Sequence, residues 1–249
     1  MPMPSSPLYS RPLAVVIPVF NHGRTIADVA RRTLALGFSV FVVDDGSEDA
    51  IFGLEPGPTL HLFRHPINRG KGAALITGLT AAFDAGFDRA VTLDADGQHL
   101  PEEIPILVQK LPADKRAIVV GRRTDMQDAG APWTSRFGRE FSNFWIRWAG
   151  GPSLSDTQSG FRLYPLPEVL NLGVRARRYQ FELELLIRAA QAGIPIVETS
   201  VSVIYRPPGG RISHFHPFFD FLRNTGMFTR MIFRRIFCAW RKDRTRKAR

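Results

Sequence analysis

A single cysteine, Cys238, stands in a chain of 249 residues. That excludes a disulfide framework and a cysteine-based zinc site, and it fits a reducing compartment. No uninterrupted apolar run reaches the ~18 residues that a bilayer-spanning helix needs. The opening "MPMPSSPLYSRPL" lacks the apolar core of a secretory signal, and its proline and serine content predicts a flexible leader over 1–12. No internal repeat is visible. With 44% hydrophobic residues there is enough apolar material for one large core. The chain is therefore expected to be soluble, or to lie on a membrane without crossing it.

Acidic residues are scarce only at one end. The formal net charge is +10, yet residues 1–205 hold equal numbers of each sign. After residue 205, twelve Lys or Arg face only Asp220 and Asp243. A basic tail on a neutral domain points to a polyanion. No recognised nucleic-acid motif accompanies it, so an anionic membrane surface is the expected partner and nucleic acid is not. Drawn as one helix over 217–240, the tail places Arg223, Arg230, Arg234 and Arg241 on one stripe. Phe218, Phe221, Phe228, Ile232, Ile236 and Ala239 fall opposite. Such a helix suits a membrane interface, with the alternative that its apolar face packs on the domain.

Within 13–214 short apolar runs alternate with helical patterns. Strands are predicted at 13–20, 39–45, 60–65, 89–96, 116–123 and 195–205, and helices at 25–37, 72–86, 101–111 and 179–193. The stretch 135–151 is aromatic and amphipathic, and 155–165 reads as a polar loop. This pattern predicts an α/β fold with a mostly parallel sheet sandwiched by helices. Ligands of such sheets bind outside the carboxyl ends of the strands. Polar motifs gather there: Asn21, then Asp44 and Asp45, then Asp94 and Asp96, then Arg122 and Arg123.

The pair in "LDADGQH" is the sharpest of these. Two carboxylates one residue apart suit a hard divalent cation, Mg2+ or Mn2+, that also ligates phosphate oxygens. Gln98 and His99 lie within reach along the chain. "VVDDGSED" offers short acceptors for a base or ribose. "NRGKGAA" opens a helix whose free N–H groups and Lys71 suit phosphate, although its spacing is not that of a Walker A loop.

"VVIPVFN", "VVDDGSED", "NRGKGAA", "LDADGQH", "VVGRR" and "DTQSGFR" occur in the order seen in family 2 glycosyltransferases of the GT-A fold. The chain most resembles their dolichyl-phosphate mannose synthase-like, polyprenyl-phosphate-using branch, over about residues 13 to 214. The resemblance implies an inverting transfer of a sugar from a nucleotide-sugar donor to a lipid acceptor. It places Pro18, Phe20, Asp44 and Asp45 around the nucleoside, Lys71 near the donor, and Asp94 on the ribose or base side. Asp96 is implied as the main metal ligand, with Gln98 assisting. Arg123 is implied to approach phosphates. Asp156, Gln158 and Arg162 belong to the acceptor-side loop. Arg206, Ser213 and His214 form a lid closing on the diphosphate. Two positions depart from the pattern: His22 stands where the family often has glutamate, and His214 where it often has lysine.

An acceptor phosphate is already anionic and needs no general base, whereas a hydroxyl acceptor needs one, for which Asp156 or Glu182 is the candidate. Glu182 and Glu184 also read as a solvated helix face. A hydroxyl-bearing lipid acceptor, and a membrane-bound nucleotide-sugar binder without turnover, remain the alternatives. The expected location is cytoplasmic, peripheral on the inner face of the membrane, with 137–148 and 217–240 resting on the bilayer.

Overall fold

The computed structural model describes residues 12–49, 53–112, 116–124, 133–204 and 225–233. Its strands are short, β-branched runs of the type that packs well on a pleated surface. They are β1 (Leu13–Val19), β2 (Ser39–Asp44), β3 (Leu60–Arg64), β4 (Arg89–Thr92), β5 (Ile118–Arg123), β6 (Arg162–Pro165) and β7 (Ile196–Val201). Among the described residues they form one sheet in the order β3-β2-β1-β4-β6-β5-β7. Neighbours are parallel except at β6, which runs antiparallel to both β4 and β5.

The helices are α1 (Gly23–Ala35), α2 (Lys71–Asp84), α3 (Ile104–Gln109), α4 (Trp133–Trp148), α5 (Leu166–Leu170) and α6 (Gln180–Gln191). A further helical stretch, α7, covers 225–233. Side chains alternate across the sheet, so one strand feeds two cores. Ala14 and Val16 join Leu75, Leu79 and Leu186 on one face. Val15 and Ile17 join Val29, Ile104 and Leu107 on the other. Burial on both faces is what makes these strands near-continuous apolar runs.

Four expectations are revised. β4 ends at Thr92, so Asp94 and Asp96 lie on the turn that follows it. The backbone leaves the ladder after Leu93, whose N–H still reaches Val16 O, and reverses at Gly97 with φ 71°. The helix expected over 101–111 is a 3-10 turn, Pro101–Glu103, followed by the short α3. The loop expected over 155–165 ends as β6, all four of whose residues are buried.

The tail is the fourth. In its described part, Met227, Phe228 and Met231 are buried in the same core as Leu186. Phe228 stacks on Trp145 of α4 with ring centres 6.3 Å apart. Arg230 reaches inward to the buried Glu184 at 2.9 Å. Here the apolar stripe meets the domain, the alternative the periodicity left open. The remainder of 217–240 lies outside the described residues. No helix among the described residues is long and apolar enough to cross a membrane.

Candidate active site

The turns after β1 and β2 lock together. Asn21 holds φ 54°, with its N–H on Ser47 Oγ (2.9 Å) and its Oδ1 accepting from Glu48 N–H (2.9 Å). Asp44 accepts from Ser47 N–H at 2.8 Å and faces Arg64 at 3.4 Å. Asp45 is fully occupied: it accepts from Arg69 N–H (2.9 Å) and Gly70 N–H (2.7 Å) and pairs with His65 Nδ1 (2.7 Å). Its role within the fold is to pin the loop that opens α2. Gly46, at φ 77°, lets that loop close, because a Cβ there would meet Ile67 C at 2.6 Å. Pro18 is buried and Phe20 is half-buried at the same end of β1.

Lys71, the first residue of α2, turns toward the sheet. Its Nζ lies 2.8 Å from Asp94 Oδ1 and 3.2 Å from Glu182. Burial works against a charged lysine here, but the two carboxylates outweigh it and raise its pKa. Burial likewise acts to raise Asp94, and Lys71 overrides it, holding that carboxyl below its usual range. Asp96 shifts the other way: burial and the neighbouring Asp94 push its pKa up. Its Oδ1 accepts from Gln98 N–H at 2.9 Å. Asp96 has no Lys or Arg partner among the described residues. The Gln98 carbonyl accepts from Ile204 N–H at 2.9 Å, so the chain leading toward 206 starts beside this turn. His99 is buried, and burial pushes its pKa down to about 4.

Gly160 closes the floor. A Cβ there would meet Asp94 Oδ2 at 2.5 Å and Lys71 Nζ at 2.8 Å. Gly160→Ala is therefore expected to displace the Lys71–Asp94 pair and to cost about 1–3 kcal/mol of stability, as overpacking does. Thermal unfolding of the variant checks this.

Across the sheet, Asp156 is fully buried and holds Arg123 through Nε (2.7 Å) and NH2 (2.9 Å), with a longer contact to its backbone N–H (3.3 Å). Burial acts to raise the Asp156 pKa, and the Arg123 bonds outweigh it, so the carboxyl stays ionised. Gln158 donates to Ser142 Oγ at 3.0 Å. Arg162 is fully buried and staples carbonyls: its guanidinium donates to Ser159 O (2.7 Å), Thr157 O (2.8 Å) and Glu182 O (2.9 Å). It supports the loop 155–161 from within the fold. Arg206, Ser213 and His214 lie outside the described residues.

Glu182 and Glu184 are both buried, which corrects the solvated-face reading. Glu184 answers Arg188 at 2.7 Å as well as Arg230. Two groups escaped the sequence reading. Glu198, the one charged residue of β7, accepts from the N–H groups of Ser155 (2.7 Å) and Asp156 (3.0 Å). Ser142 and Asn143, the polar pair inside the aromatic "FSNFW", grip the same loop. A polar residue inside an otherwise apolar element was the available signal.

This layout of strand ends, acidic turn and returning loop has known counterparts. Residues 14–167 match the family described as Glycosyl transferase family 2. The chain belongs to this family. The UDP-N-acetylglucosamine–dolichyl-phosphate N-acetylglucosaminyltransferase of Methanococcus voltae is 30% identical, over 77% of this chain and 85% of that protein. The undecaprenyl-phosphate mannosyltransferase of Micrococcus luteus is 29% identical, over 68% and 73%. Glucosyl-3-phosphoglycerate synthase from Mycobacterium tuberculosis, in complex with UDP, superposes with a TM-score of 0.65, covering 90% of this chain and 80% of that one at 20% identity. The same enzyme with Mn2+, UDP and phosphoglyceric acid gives 0.62. These likenesses establish the GT-A fold for this family 2 glycosyltransferase. Several sequence relatives are named as polyprenyl-phosphate sugar transferases, the branch that its motifs resemble.

Proposed function

We propose that this glycosyltransferase moves a sugar from a nucleotide-sugar donor onto a polyprenyl phosphate, with inversion, and with a divalent cation held at Asp96. One observation carries this reading. Among the described residues, Asp94, Asp156 and Glu182 each face a Lys or Arg, and Asp96 makes no ion pair. A carboxylate with no ion pair among the described residues, beside a second carboxylate, fits a Mg2+ or Mn2+ site that needs diphosphate oxygens to complete it. Structural neighbours crystallised with Mn2+ and UDP support that choice. A bound divalent cation supplies Lewis-acid stabilisation of the departing diphosphate.

The same pairing bears on the acceptor. The two carboxylates that could serve a hydroxyl acceptor as general base, Asp156 and Glu182, are both engaged by cations. A carboxylate held ionised by a bidentate arginine is a weak base. A phosphate acceptor carries its own negative charge and needs none. Arg123, fixed by Asp156, offers a positive group toward the phosphates, and Lys71 keeps Asp94 ionised and oriented toward the nucleoside. Lipid access fits α4, where Phe144 and Trp148 are 55% and 59% exposed, and the basic residues beyond 205 suit an anionic leaflet. These features support a peripheral enzyme on the cytoplasmic face.

Vesicles carrying undecaprenyl phosphate or undecaprenol, with UDP-N-acetylglucosamine, UDP-glucose or GDP-mannose and Mn2+, test the acceptor chemistry. A lipid-linked sugar phosphodiester, seen as a phosphorus chemical-shift change and abolished by EDTA, is the expected product. Equal or preferential transfer to undecaprenol would show that the acceptor is a hydroxyl.

A further inference from the structure

Helix α4 faces two ways. Phe144 and Trp148 point outward, while Ser142 is buried against the loop 155–161. Asn143 spans that loop. Its Oδ1 accepts from Thr157 N–H at 3.2 Å and from Thr157 Oγ1–H at 2.6 Å. Its Nδ2 donates to the Ser155 carbonyl at 2.9 Å. An N–H needs an acceptor and a carbonyl needs a donor, so a carboxamide in this orientation serves both. The residue bracketed by these bonds is Asp156, which carries Arg123. Glu198 holds the same turn from β7, through backbone N–H groups alone.

We propose that Asn143 is a positioning residue for sugar transfer. It fixes the turn Ser155–Thr157, so that Asp156 presents the Arg123 guanidinium in one geometry. Bidentate arginine–carboxylate pairing depends steeply on the placement of both partners. A shift of about 1 Å in a group that orients reacting atoms can cost roughly a hundredfold in rate. Among the described residues the side chain of Asn143 bonds to Ser155 and Thr157, so its effect passes through Asp156 to Arg123. The proposal rests on the reading of Arg123 as the phosphate-facing residue.

The test uses the full chain and follows the Nε–H signals of Arg123 and Arg116 by nitrogen-15 NMR. These two arginines stand at opposite ends of β5, and Arg116 has its own partners, Glu168 and Asp88. In Asn143→Ala, Arg123 Nε–H exchange is expected to quicken about tenfold or more, with Arg116 unchanged. Thr157→Val removes only the hydroxyl bond and should move Arg123 in the same direction by less. Unchanged Arg123 exchange in Asn143→Ala, or equal quickening of both arginines, would overturn the proposal. Transfer to undecaprenyl phosphate supplies the second arm. Asn143→Ala should lower kcat in the parent chain and add nothing in an Arg123→Ala background. Additive losses would overturn the proposal. Full activity of Arg123→Ala alone would instead overturn the reading of Arg123.

Discussion

Asp96→Asn is expected to abolish sugar transfer while making the protein more stable. The two effects have one origin. Burial and Asp94 both disfavour a charge at this position, which is why the Asp96 pKa is raised. A neutral amide removes that cost and keeps an oxygen for the Gln98 N–H that now binds Oδ1. The same substitution removes the carboxylate proposed to hold the metal. Loss of metal-borne charge stabilisation, worth several kcal/mol, corresponds to roughly a thousandfold or more in kcat. Thermal unfolding should show a raised midpoint for the variant and no further rise on adding UDP with Mn2+. Asp94→Asn should behave differently. It removes the negative charge that pairs with Lys71, so stability should fall and donor binding should weaken. Mn2+-dependent turnover at near-normal rate in Asp96→Asn would remove Asp96 from the metal site.

Lys71→Met is expected to destabilise the fold by about 3 kcal/mol near neutral pH, since it strands the buried Glu182 and the partly buried Asp94 without their shared cation. The pH dependence identifies the cause. In the parent protein Asp94 titrates below its unfolded value of about 4. Its contribution is therefore present above that pH and lost as pH falls through the folded value. In Lys71→Met, burial acts on Asp94 without its main counterweight, so its pKa moves upward and stability is lost as pH rises through about 4. The two stability curves should converge in acid and diverge toward neutrality. Urea unfolding at a series of pH values measures this directly. A constant gap between pH 3 and 7 would mean that lost packing, rather than lost charge, sets the penalty.

The sheet and the position of the site were legible because strand ends carry the polar residues. Asn21, Asp44, Asp94 and Arg123 all follow apolar runs, and the structure brings those ends to one edge. What each residue does there was less legible, because the deciding partners are distant in sequence. Asp44 and Asp45 look equivalent in "VVDD". Only the fold gives Asp45 three partners 20 to 25 residues away. Glu182 pairs with a lysine 111 residues earlier, and Glu184 with an arginine 46 residues later. β6 was hidden because it is four residues long, begins with arginine and ends with proline. The tail shows a limit of periodicity itself: it identifies two faces of a helix without saying which one meets protein.

The reversed strand β6 also imposes an order of events on a chain made from its N-terminus. β5 touches β6 and β7 but not β4. When β5 leaves the ribosome, the sheet built from the first four strands offers it no place to dock. β4 keeps an open edge until Arg162–Pro165 emerges, and open edges invite pairing with other chains. Only then can Arg123 swing in beside the acidic turn, and only with α6 does Lys71 gain its second carboxylate. A nascent chain stalled before residue 160 should thus expose a sticky half-sheet that favours chaperone capture. The candidate site is thus completed only once the second half of the domain has been made.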